Sequence, residues 1–123
     1  PTLMAMLECY EPSLVAWRVL SRAADGFMTV DEDDAVAAMN RLARPLGGDP
    51  AVVAGESGGV GLAGLLAAVC NPEMRKALRL GPDSRVLVFN TEGATDPERY
   101  RELVGADPGE VAAGFAGMPI TNS

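Results

Sequence analysis

This chain predicts an α/β fold: a three-layer fragment with a short parallel sheet of roughly two to four strands flanked by helices. Three observations predict it. Apolar residues recur at helical spacing through residues 14–24 and 36–43. Short β-branched or continuous apolar runs, at residues 27–30 (FMTV), 52–53 (VV) and 85–90 (RVLVFN), fall between helical patterns. The connections between them suit βαβ crossovers.

The elements follow in order. The chain opens PTLMAMLECYEPS, with Met4, Met6 and Leu7 apolar and no charged counterface beside them. Such an opening reads as the middle of a larger structure, so a fragment is expected. Pro12 and Ser13 open a helix with Leu14, Trp17, Leu20 and Ala24 along one face, and Trp17 is expected in the core. Gly26 stops it, and residues 27–30 read as a strand. Asp31, Glu32, Asp33 and Asp34 follow. Capping and the helix dipole explain these acids better than a cation site, because the glycine and distal Glu of a calcium loop are missing. The helix they begin points Val36, Met39, Leu42 and Ala43 inward and ends near Pro45 to Gly48.

The central stretch is AVVAGESGGVGLAGLLAAVC, residues 51–70. It reads as a strand, a glycine loop at Gly55 to Gly59, and a helix. Unpaired N–H groups at the start of that helix suit a buried carboxylate or a phosphate. Gly59, Gly61 and Gly64 fit G-x-G-x-x-G in form. A dinucleotide site also needs an acid about 20 residues on, and Glu92 lies too far along. No Lys follows the glycines, which excludes a Walker loop.

Asn71 and Pro72 end one helix and cap the next, which carries Lys76, the sole lysine. Gly81 to Ser84 is a turn. Residues 85–90 form a run too continuous to face water on one side, as in a buried parallel strand. Asp96 and Pro97 cap a last long helix through Tyr100, Leu103 and Val104, and a short helix is expected near Val111. Parallel sheets bind ligands beyond their strand ends. The polar loops there carry Glu56, Ser57, Thr91 and Glu92, the site candidates from residue chemistry alone. Glu56 is equally readable as a carboxylate held by helix N–H groups, and Thr91 as a strand-end cap.

Composition narrows the function. At 123 residues and 48% apolar, the chain has the size and character of one globular domain. A net charge of −7, with ten basic residues unclustered, argues against nucleic acid or an anionic membrane as partner. No apolar run reaches the roughly 18 residues of a membrane span. The two cysteines, Cys9 and Cys70, make no disulfide framework, and a cytoplasmic location is expected. The absence of histidine removes the usual triad base, metal ligand and proton shuttle.

The motifs then carry a resemblance. They are T-x-M-A from Thr2, E-P-S from Glu11 with Ala16 and Trp17, and L-A-x-P-L-G-G-D from Leu42. G-E-S-G follows from Gly55 and N-T-E-G-x-T-D-P-x-x-Y-R from Asn90. In this order they resemble the C-terminal part of the diaminopropionate ammonia-lyases, over nearly the whole chain to about Gly105. The resemblance implies a pyridoxal-phosphate enzyme of the tryptophan-synthase-β fold type that converts 2,3-diaminopropionate to pyruvate and ammonia. It implies that residues 1–105 belong to the large cofactor-binding domain, with residues 106–123 a partly helical or irregular tail. It places Thr91 against the pyridine nitrogen and Gly55, Glu56, Ser57 and Gly58 over the cofactor ring, with Glu56 and Ser57 as substrate contacts. Met6 and Tyr10 stand where the family has glycines. Lys76 does not match the family's Schiff-base lysine, so no catalytic residue is assigned and this chain alone is expected to be inactive. A small amino-acid substrate, the N-terminal part of the same enzyme and a homodimer are the implied partners. The alternative is a stand-alone small α/β module that binds a ligand or nucleotide without catalysis.

Overall fold

Capping chemistry sets where the helices begin. In a computed structural model, which describes residues 2–115, Ser13 accepts from the Ala16 N–H at 3.3 Å and starts α1, Leu14–Ala23. Helix α2, Glu32–Ala43, starts after Asp31, whose N–H donates to the Asp34 carboxylate at 3.3 Å. The acids at 31–34 thus stand at a helix start, where the dipole favours them. Helix α3, Val60–Cys70, follows the glycine loop without a side-chain cap. Asn71 then caps α4, Pro72–Ala77, accepting from the N–H groups of Glu73 and Met74. Asp96 caps α5, Pro97–Val104, and Asp107 caps α6, Pro108–Ala112. Both of these last helices carry Pro at the start, where its missing N–H costs nothing. Gly105 ends α5 at φ 71, a left-handed conformation that suits glycine.

The core is where α2, α5 and α6 meet. Met39, Ala43, Tyr100, Val104 and Val111 are buried together, with Val53, Ala94 and Leu103 packed against them. Met39 and Ala43 face inward as their spacing predicts, while Val36 and Leu42 are half-buried. Arg44 lies 5.9 Å from the Phe115 ring centroid, a cation–π contact beside this core. Helix α3 packs on α2 and is apolar on all sides, so a buried or covered place suits it.

The predicted sheet is overturned: among the described residues there are helices and no strand. Between the 52–55 and 85–93 segments one backbone hydrogen bond forms, from the Gly55 N–H to the Glu92 carbonyl at 2.9 Å. A side-chain bond from Asn90 Nδ2 to the Val53 carbonyl, 3.0 Å, supplements it. A strand pair needs repeated backbone bonds along both chains. Here the Val52 N–H is instead taken by the Leu42 carbonyl at 2.9 Å, which ties its run back to the end of α2. The run at 85–90 has no second layer to face, and Leu87 and Phe89 stand 77% and 74% exposed. Continuous apolarity records a need for cover, and residues 2–115 do not provide it.

Trp17 is a second correction. It is 54% exposed, and α1 buries none of its residues. Helical periodicity located an apolar face correctly but does not say what lies against it. No helix among the described residues is long and apolar enough to cross a membrane.

Candidate functional site

Two loops meet at the start of α3. The turn at 55–58 brings its backbone N–H groups together because Gly55 and Gly58 carry no side chain. A Cβ on Gly58 would overlap the Glu92 carbonyl and the Asn90 side chain, and one on Gly55 would lie 2.5 Å from the Gly93 carbonyl. Glu92 fills the concavity. Its Oε2 accepts from the Ser57 N–H at 3.0 Å and the Gly58 N–H at 3.3 Å, and its Oε1 accepts from the Thr95 hydroxyl at 3.1 Å. The carboxylate held by the loop is therefore Glu92, and these two N–H groups are already occupied.

Beside this junction opens a cavity of about 700 Å³. Its wall is mostly apolar, including Met28, Val30, Leu65, Val86 and Val88, and Ser57 and Thr91 also line it. That volume suits a small-molecule site, in which a few polar groups orient the ligand among apolar walls. Ser57 is buried and Thr91 is exposed. The wall carries no amine or guanidinium from the described residues.

Of the residues singled out from sequence, Ser57 and Thr91 come together on this cavity. Gly55 and Gly58 are buried behind it and shape the loop; Glu56 is half-buried and outside the wall. Lys76 is exposed on α4 and also outside it. The glycines of the dinucleotide-like pattern pack the helix. Gly61 faces Val88, Gly64 faces Met28 and Val30, and Gly59 faces Ala38 and Met39. They admit close neighbours to α3, which accounts for their spacing without a nucleotide. Sequence reasoning placed Glu92 among the ligand candidates and missed its structural engagement. Asn90 it passed over, because a side-chain bond to a distant carbonyl leaves no local pattern.

The model of the family described as "Pyridoxal-phosphate dependent enzyme" matches residues 1–92. The chain is 43% identical over 107 residues to the diaminopropionate ammonia-lyase of Escherichia coli K12, covering 84% of this chain and 27% of that protein. To the Salmonella typhimurium enzyme of the same name it is 33% identical over 108 residues, covering 84% and 26%. The chain thus spans about a quarter of the length of these relatives. Among solved structures, it is similar to the Escherichia coli diaminopropionate ammonia lyase in complex with an aminoacrylate-PLP azomethine reaction intermediate. The TM-score is 0.78 and the identity 40%, over 84% of this chain and 28% of that one. The same enzyme in complex with D-serine gives a TM-score of 0.74 at 40% identity, over 80% and 26%.

Proposed function

The chain belongs to the pyridoxal-phosphate-dependent enzymes, and from that premise we propose that it supplies one wall of the active site of a diaminopropionate ammonia-lyase. The observation that carries the reading is that Ser57 and Thr91, from separate loops, line one apolar cavity. An aromatic ring fits such walls, and a hydroxyl fits its ring nitrogen. A phosphate dianion calls for cationic or N–H donors, and the Ser57 and Gly58 N–H groups are held by Glu92. We therefore assign these residues to the ring and not to the phosphate.

In this reading Thr91 donates its hydroxyl to the pyridine nitrogen. A neutral partner leaves that nitrogen short of full protonation, which suits elimination of a β-amino group. Ser57, on the 55–58 turn, would orient the ring or the substrate's polar groups, while Glu56 on the same turn lies outside the cavity wall. The bound cofactor supplies the electron sink that stabilises carbanion character at the substrate α-carbon. Overall, 2,3-diaminopropionate and water give pyruvate and two molecules of ammonia. The Schiff-base amine comes from outside this chain, since Lys76 lies away from the cavity wall. A homodimer, the remaining part of the same polypeptide as partner and a cytoplasmic location belong to the same proposal. Two exposed free cysteines are compatible with a reducing compartment.

The test is to express the longer reading frame containing residues 1–123 and follow pyruvate and ammonia release from 2,3-diaminopropionate. Thr91→Asp is expected to cut the rate at least about tenfold, equivalent to about 1.4 kcal/mol of barrier. The 123-residue chain alone is expected to give neither turnover nor a borohydride-reducible adduct that depends on Lys76. A longer polypeptide that binds pyridoxal phosphate yet leaves diaminopropionate unchanged overturns the assignment.

A further inference from the structure

We propose that Glu92 is a positioning residue: its carboxylate clasps the 55–58 turn to the segment carrying Thr91 and so sets how Ser57 and Thr91 present themselves to the cavity. Separate observations converge on it. Both carboxylate oxygens are engaged, Oε2 by the Ser57 and Gly58 N–H groups at 3.0 and 3.3 Å, Oε1 by the Thr95 hydroxyl at 3.1 Å. The Glu92 carbonyl accepts from the Gly55 N–H at 2.9 Å, so main chain and side chain grip the same turn. The turn fits only with glycine at 55 and 58, because a Cβ at either position would run into Glu92 or Gly93.

A carboxylate engaged this way has both oxygens committed to holding neighbouring chain segments. Its charge strengthens the amide bonds it accepts, since ionised acceptors bind N–H donors about twice as strongly as neutral ones. It sits next to Thr91 in sequence and bonds to Ser57 through space, so any slackening reaches both cavity hydroxyls together. The functional consequence rests on the reading of this cavity as the ring site. The clasp itself does not depend on that reading.

The test is amide hydrogen exchange on the isotope-labelled 123-residue chain, comparing Glu92→Gln and Glu92→Ala with the unaltered protein. In Glu92→Ala the Ser57 and Gly58 amides are expected to exchange at least about tenfold faster. In the isosteric Glu92→Gln they exchange several-fold faster, and the Tyr100 amide in the core keeps its rate in both. Should Glu92→Ala unfold, Glu92→Gln decides alone. Unchanged exchange at Ser57 and Gly58 in the folded variants overturns the clasp. In the longer holoenzyme, Glu92→Gln is expected to shift the cofactor absorbance band. Faster exchange with an unmoved band leaves the clasp standing and removes the ring-site reading.

Discussion

The Asn40 side-chain amide donates to the Leu103 carbonyl at 3.1 Å and joins α2 to α5. The same nitrogen also donates to the Val36 carbonyl at 3.0 Å, while the Asn40 oxygen accepts from Arg44 at 3.1 Å. One half-buried side chain thus serves two helices. Asn40→Ala removes all three bonds and leaves the Leu103 carbonyl without this donor. Urea denaturation is expected to show a loss of about 1–2 kcal/mol. An unchanged midpoint and slope would show that water replaces the bond at no cost.

The two glycines Gly58 and Gly64 answer oppositely to a methyl group. At Gly58 the new Cβ meets main-chain carbonyl atoms of Glu92, which cannot turn aside as a side chain can. Gly58→Ala is expected to cost about 2 kcal/mol. At Gly64 the nearest atom is the Met28 sulfur at 3.2 Å, on a flexible side chain. There the helix-propensity gain of about 1 kcal/mol offsets the crowding, and thermal unfolding should stay close to the unaltered protein. Equal losses at both sites would contradict the packing described.

Tyr100 is 2% exposed, and its hydroxyl finds no hydrogen-bond partner among the described residues. Tyr100→Phe removes an unsatisfied polar atom while keeping the ring. The expected gain is about 1 kcal/mol, whereas Tyr100→Ala loses about 3–5 kcal/mol through the cavity it leaves. Burial also pushes the phenol above its ordinary value of 10.0. The folded state therefore favours the protonated form. The resulting stability is full below pH 10.0 and is lost as pH rises through the folded value. Tyr100→Phe should remove that alkaline loss, and denaturation midpoints measured across this pH range check it.

Local chemistry was the legible part of this sequence. Ser13, Asp31, Asn71 and Asp96 each mark a helix start because a cap acts within about three residues of itself. Met39, Ala43 and Val104 are buried as their periodicity required. The pairing of Ser57 with Thr91 was legible only as two polar loops after two apolar runs. The sheet was misread because strand formation depends on neighbours, and the apolar content of residues 85–90 is the same with or without them. Glu92 was noted for its charge, but its engagement by Ser57 and Gly58 depends on a fold that joins distant segments.

The same dependence on neighbours shapes α1. Leu14, Val15 and Trp17 are 75%, 73% and 54% exposed, and the helix buries nothing against the rest of the described chain. An apolar helix face left in water favours association, because each side chain covered removes apolar surface from solvent. The net charge of −7 opposes close approach of two copies, and added salt screens that repulsion. Sedimentation is therefore expected to show self-association at about 100 μM that strengthens with salt. Replacing Leu14 and Trp17 together by Gln keeps helix-compatible residues while removing the apolar edge, and should shift the population toward monomer. Trp17 fluorescence in the unaltered chain should move to shorter wavelength as concentration rises, since the indole leaves water on association. A single monomeric species with a constant emission maximum over that range would show that the α1 face is no contact surface for a second copy.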